Sequence, residues 1–346
     1  MNSVINMTEG ERRVLFEQVA LKKSATVAVI EKDFWVCWVL GRLFSSTLLR
    51  DKIIFKGGTS LSKVFGVIER FSEDIDLILD WDEVVAEDPN EARSNTRQDR
   101  FNKHAVELSR EYIAQVFLPE VQRLVGEVCT AAVEEGAPDV INIGYPSESS
   151  NPYLRPEIRL EIGPLAQWVP NAEYEVLSYV AEVFPDVVED GACCVRAIKA
   201  ERTFWEKATI LHQEAFRPLA KPQPSRFSRH YYDLAMMAQS KIKEEALADL
   251  ELLRSVVSFK QKFYPRNWAR YDLACVGTFR LVPDESRLKA LRDDYIKMRV
   301  MIYGDYPSFD RIIEVLEQLE EDINREAREE REGGCSKGKN VNHESH

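Results

Sequence analysis

Residues 53–79 read IIFKGGTSLSKVFGVIERFSEDIDLIL, and this stretch constrains the fold more than any other. A short apolar run ending at Lys56 predicts a buried strand, and Gly57-Gly58 lets the backbone turn sharply at its end. Leu61, Val64, Phe65 and Ile68 then recur at helical spacing, which predicts a helix over residues 59–69. The first turn of such a helix presents free N–H groups and the positive end of its dipole, where nucleotide phosphates can sit. Lys56 and Thr59 flank that turn, and Ser60 carries the hydroxyl expected to touch phosphate or metal. The next segment alternates, so Asp74 and Asp76 face one side of a strand and Ile75 and Leu77 the other. Two carboxylates on one strand face can hold Mg²⁺ beside phosphates. Neither device is specific alone. The order strand, GGTS turn, helix, Asp-x-Asp strand points to phosphate and metal together.

Composition narrows the classes. Apolar residues make up 45% and charged residues 30% of 346 positions, as in a globular protein with ample length for a core. No stretch approaches the roughly 20 apolar residues of a membrane span, and the N-terminus lacks the pattern of a signal peptide, so no membrane partner and a cytoplasmic setting are expected. Six cysteines show no CxxC pair, which predicts reduced, mostly buried thiols. The net charge of −12 is awkward for a nucleic-acid enzyme. It is unevenly spread. Residues 195–230 hold eight Lys/Arg against three acids, a local +5, whereas residues 312–332 hold nine acids against three arginines, a local −6.

Hydrophobic periodicity predicts helices over residues 10–25 and 27–48, then the strand–helix–strand unit over 53–80. An acidic loop over 81–95, a long helix over 97–135, and strands over 140–144 and 157–162 come next, with a short strand near 175–179. The two paired strands are joined by a polar loop over 146–152. After Ile198 only helices are expected, near 199–215, 227–240, 242–257, 286–298 and 308–328. The expected organisation is a mixed α/β part over residues 1–190, a helical lobe over 191–330 and a disordered tail over 331–346. A cleft between the lobes is expected to set the Asp74/Asp76 strand opposite the helices of residues 199–233.

The GGTS and Asp-x-Asp segment resembles the signature of the DNA polymerase β nucleotidyltransferase superfamily, and within it the AbiEii/AbiGii toxin family with its MenT-like members. Three further segments carry the resemblance: EKDFWVCWVL over residues 31–40, AERTFWEKATILHQEA over 200–215 and SRHYYDLAMM over 228–237. The resemblance implies an α+β fold, a polymerase β-like mixed sheet with flanking helices followed by an all-helical C-terminal lobe. It implies Mg²⁺ as cofactor, with Mn²⁺ as a substitute, and an NTP as substrate. Asp74 and Asp76 become metal ligands, and Lys56, Gly57, Gly58, Thr59 and Ser60 nucleotide contacts. A third carboxylate is usual in the superfamily. In EIRLEIGP, Glu161 shares the polar strand face with Glu157 and Arg159 and is the expected ligand or general base, although an exposed structural glutamate is the plain alternative. Lys207 is implied as a phosphate contact. Arg229 and Asp233 lie one helical turn apart, either a structural ion pair or, by the resemblance, a nucleotide contact and an orienting acid.

The activity so implied is transfer of NMP to an RNA, with the tRNA 3′ end as acceptor, blocking translation in a toxin–antitoxin or phage-defence system. The partner is then an antitoxin encoded nearby, a separate winged-helix protein in related systems. Two alternatives stand beside it. One is transfer to a small-molecule or protein hydroxyl, and the other is a non-catalytic nucleotide-binding interaction protein. Ser72, two residues before Asp74, is also a candidate site of regulatory phosphorylation, since added negative charge there opposes nucleotide binding; a strand-starting serine is the alternative.

Overall fold

A computed structural model describes residues 1–72, 74–147, 156–188 and 191–336, of which 326–336 by their backbone only. The chain forms two compact units, Met1–Lys199 with Met301–Gly304, and Ala200–Val300 with the chain from Asp305 onward.

The first unit opens with three helices, α1 (Asn2–Ile5), α2 (Glu9–Lys23) and α3 (Val27–Ser45). Thr8 and Glu11 form a capping box at the start of α2, and the Thr26 side chain caps α3. Helix α3 is apolar around nearly its whole circumference and is buried accordingly, even at Glu31, Lys32 and Asp33. Next come β1 (Ile53–Lys56), α4 (Gly57–Lys63), β2 (Asp74–Leu79), α5 (Asn95–Tyr112) and α6 (Leu118–Val125). The remaining elements are β3 (Thr130–Glu134), β4 (Ala137–Gly144), β5 (Glu157–Gly163), β6 (Asn171–Leu177), α7 (Tyr179–Val183) and β7 (Ala192–Ile198).

The strands build one mixed sheet in the order β3-β4-β5-β2-β1-β7-β6. β1 runs antiparallel to β2 and parallel to β7, and β2 runs parallel to β5. Central β1 is covered on both faces, which is why Ile53, Ile54 and Phe55 form an unbroken apolar run. In β5 the alternation survives, with Ile158, Leu160 and Ile162 buried and Glu157, Arg159 and Glu161 partly exposed.

Several expected boundaries move. The helix after the GGTS turn ends at Lys63 rather than continuing to residue 69. Gly66 takes a left-handed φ of +60°, and the chain beyond it pairs with the short return segment: Phe71 N–H donates to Met301 O at 2.7 Å and Tyr303 N–H to Glu69 O at 3.0 Å. The long helix expected to reach residue 135 stops at Val125, before left-handed Gly126, after a π-helical turn at Ile113–Phe117. The chain then enters strand β3, which finds its hydrogen bonds on β4. Strand β7 was not expected at all; it pairs antiparallel with β6 and parallel with β1, which lies more than a hundred residues earlier in sequence.

The second unit contains helices and no strand among its described residues: α8 (Ala200–Ala215), α9 (Ser228–Ala238), α10 (Ile242–Leu247), α11 (Leu250–Phe263), α12 (Glu285–Met298) and α13 (Phe309–Ser336). The helix expected over 242–257 is two, because Asp249 breaks it and caps α11 by accepting from Leu252 N–H at 3.0 Å. The core gathers Phe204, Trp205 and Leu211 of α8 with Tyr231, Leu234 and Met237 of α9. Backbone of α13 runs to Ser336, into the tail expected to be disordered from residue 331; residues 337–346 lie outside those described, as do 148–152 of the expected polar loop.

Candidate active site

In the first unit the site forms where β1 turns into α4 beside β2. Gly57 adopts φ +84°, and a Cβ built on it would lie 1.9 Å from Asp76 Oδ2. Glycine is thus needed twice here, for the turn and for the approach of the carboxylate. The antiparallel register sets Lys56 opposite Asp76. Asp74 and Asp76 are both half-buried on one strand face, while Ile75 and Leu77 are buried on the other. Thr59 donates its hydroxyl to Asp74 O at 2.5 Å, tying the new helix to the start of the Asp-x-Asp strand.

The parallel register places Glu161 beside Asp76 and Arg159 beside Asp74. Arg159, which shares the Glu161 face, was assigned no role from the sequence, yet it bridges this face. It lies 2.9 Å from Glu161 Oε1, 2.9 Å from Glu134 Oε2 and 3.7 Å from Asp74 Oδ1. Burial works against the guanidinium's charge, but these carboxylates more than offset it and raise its pKa. Glu161 is therefore engaged by Arg159. Among the described residues, no three His, Cys, Asp or Glu side chains converge to hold a metal ion. Asp74 and Asp76 remain as a pair, a donor set that suits Mg²⁺, which commonly takes one or two protein carboxylates and completes its shell with phosphate oxygens and water.

Ser60 is fully buried and donates to Gly57 O at 2.8 Å, and Thr59 is nearly as enclosed, so both hydroxyls brace the turn. Gly58 is packed closely: a Cβ there would meet Arg70 Nη2 at 2.6 Å and Ser72 Oγ at 3.0 Å. Ser72 is only 9% exposed, so a modifying enzyme reaches its hydroxyl only after the segment opens. Lys63 is also enclosed. Its ammonium lies 2.6 Å from Asp33 Oδ1 of α3 and 3.9 Å from the centre of the Tyr179 ring. Burial alone would lower the Lys63 pKa, but the facing Asp33 carboxylate lifts it, so the lysine stays charged. Asp33 also accepts from Tyr179 N–H at 2.7 Å, and the Tyr179 and Tyr303 hydroxyls lie 2.7 Å apart.

In the second unit Lys207 and Asp233 are brought together. Their Nζ and Oδ2 atoms lie 2.7 Å apart, the lysine side chain 8% and the aspartate 0% exposed. The structure thus pairs Asp233 with Lys207 of α8. Arg229 is half-buried and has no carboxylate within ion-pair distance among the described residues. Arg202 is held by Glu206 at 3.1 Å. Asp294, to which the sequence assigned no chemistry, caps α9: it accepts from Arg226 N–H at 2.7 Å and from the Ser228 N–H and hydroxyl at 2.9 and 2.6 Å. Its 66-residue separation from Ser228 hides it from any local capping pattern.

A family model described as "Nucleotidyl transferase AbiEii toxin, Type IV TA system" matches residues 38–315. Among solved structures the chain is similar to MenT4, a nucleotidyltransferase toxin of Mycobacterium tuberculosis, at 17% identity and TM-score 0.49, over 92% of this chain and 96% of that one. It is also similar to a candidate nucleotidyltransferase from H. pylori, at 14% identity and TM-score 0.43, over 87% of this chain and 96% of that one. No curated protein sequence matches. The match over residues 38–315 takes in the Gly57 turn, the Asp74/Asp76 strand and the Lys207–Asp233 pair, and it places this chain in the AbiEii family of nucleotidyltransferase toxins.

Proposed function

We propose that this nucleotidyltransferase moves NMP from an NTP to an RNA hydroxyl, releasing pyrophosphate, with the tRNA 3′ end as acceptor, so that translation stops until a cognate antitoxin intervenes. The observation that carries the reading is the Asp74/Asp76 pair set against the Gly57 turn, where Oδ2 of Asp76 occupies the space a side chain at position 57 would need. In this reading Asp74 and Asp76 would hold Mg²⁺, which would supply charge to offset that of the phosphates. The backbone at Gly57 and Gly58, with Lys56, receives the phosphates. Lys207, oriented by Asp233, and Arg229 are assigned to nucleotide phosphate on the strength of the family. Glu161, in register with Asp76, is the group proposed to accept the proton of the attacking hydroxyl. Among the described residues no helix is long and apolar enough to cross a membrane, and a cytoplasmic site of action belongs to the same proposal.

The test is direct. Purified protein is incubated with each α-labelled NTP, Mg²⁺ and total tRNA, beside Asp74→Ala and Asp76→Ala variants. Label is expected on tRNA with the wild type, and each variant should lose about a thousandfold in rate, the scale of a lost charge-stabilising group in phosphoryl transfer. Label that appears equally with the variants would remove the metal assignment. Turnover on small alcohols or proteins, with none on RNA, would replace the acceptor.

A further inference from the structure

In the second unit three cations gather around one indole. Arg217 Cζ lies 4.9 Å, Lys221 Nζ 5.3 Å and Arg266 Cζ 5.7 Å from the centre of the Trp268 ring. They differ in charge balance. Arg217 is neutralised by buried Glu214 through Nε–Oε2 and Nη2–Oε1 contacts of 2.5 and 2.9 Å. Lys221 and Arg266 are exposed, and neither has a carboxylate within ion-pair distance among the described residues. The chain carries 58 acids against 46 Lys/Arg, so two unneutralised cations converging on one ring run against its composition. A purely structural cation–aromatic contact does not require them.

The patch is also held in place. Arg287, 8% exposed, donates to Lys221 O at 2.7 Å, Pro218 O at 2.6 Å and Arg217 O at 3.5 Å. One buried guanidinium thereby fixes the turn that carries Arg217 and Lys221, while Arg266 and Trp268 come from the separate segment after α11. Cations on two segments flanking a half-buried aromatic match the chemistry of single-stranded nucleic acid, in which a base stacks on a ring and the phosphates on either side meet positive charge. A triphosphate, with its charge concentrated at one end, suits this spread arrangement less well.

We infer that Trp268, with Lys221 and Arg266, is a contact site for a single-stranded RNA segment of the acceptor; this rests on the proposal that the acceptor is RNA. The full chain is titrated into a short fluorescein-labelled single-stranded RNA of mixed sequence, with anisotropy read across a salt series. Trp268→Ala should weaken binding about tenfold and Trp268→Phe much less, since phenylalanine also stacks. The Lys221→Ala/Arg266→Ala double variant should lower the slope of log affinity against log salt by about 1.4, two phosphate contacts on a single strand. KM for the NTP should stay at its wild-type value in that double variant. Unchanged affinity and slope in these variants would overturn the inference, as would a wild type that binds no RNA or a raised KM for NTP with RNA affinity intact. Running the same proteins in the labelling assay separates the two claims. If the wild type labels tRNA and the variants bind RNA normally, the patch alone is wrong. If the wild type labels no RNA yet binds it through Trp268, the acceptor proposal fails and the patch stands.

Discussion

At Gly57 the absence of one carbon atom lets Asp76 occupy its place. With φ +84° and a built Cβ 1.9 Å from Asp76 Oδ2, Gly57→Ala strains the backbone and displaces the carboxylate together. We expect a loss of about 1–3 kcal/mol in stability, read by denaturant unfolding, and a fall in nucleotide transfer well beyond what the unfolded fraction explains. A variant with wild-type activity would show that Asp76 need not sit where it does. His212, in the second unit, makes a different prediction. It is fully buried; Nδ1 accepts from Arg280 N–H at 3.1 Å, which leaves Nε2 to donate to Arg270 O at 2.9 Å. Burial depresses its pKa below the ordinary 6.5, so the unfolded chain takes up the proton first. Its contribution is complete above about pH 6.5 and is lost as pH falls from there toward the folded value. Melting temperature measured across that window should drop with acidification, and His212→Gln should flatten this part of the profile. An unchanged slope in the variant would assign the acid sensitivity to other groups.

At the scale of elements, α4 depends on more than its own sequence. It has only seven residues, too few to be stable alone, and Lys63 at its last position pairs with Asp33 of α3. Both side chains of the pair are at most 5% exposed, so removing one partner leaves a buried charge uncompensated. Lys63→Met is therefore expected to destabilise by about 3–5 kcal/mol, and Lys63→Met with Asp33→Leu to recover part of that loss. Thermal unfolding of the two variants checks it; strict additivity would mean that the two groups act independently. Spacing on α4 shows which face Lys63 occupies, but not that α3 brings an aspartate to that face.

At the scale of the whole molecule the chain keeps two cores, each with its own polar ties. Asp294 closes the N-terminus of α9 from 66 residues away, a contact wholly inside the second unit. Asp294→Ala should cost about 1–2 kcal/mol, and hydrogen exchange should quicken at the amides of residues 226–231 while those of β1 and β2 keep their wild-type rates. Equal acceleration in both units would show that this cap stabilises the entire chain. Much of this organisation was legible beforehand. The apolar run of β1, the Gly-Gly turn and the alternation through Asp74 and Asp76 are local signals, set by backbone sterics and by the twofold period of a strand. The helical second unit announced itself through its 3.6-residue periodicity, and Lys207 and Asp233 were recognisable by family resemblance. Strands β3 and β7 were not legible: Thr130–Glu134 reads as the end of the long helix although it pairs with the adjacent β4, and β7 is completed by β6 and by β1, the latter remote in sequence. The enclosure of Ser60, the contacts of Arg159 with Glu134 and Asp74, and the Asp33–Lys63 pair likewise depend on separate elements coming together. Sequence alone determined which residue types stand at the turn and on the carboxylate strand, since periodicity and glycine geometry act within a few residues. Only the tertiary structure decided which of those side chains are buried, paired or left facing outward, because burial and ion pairing depend on atoms brought close from distant parts of the chain.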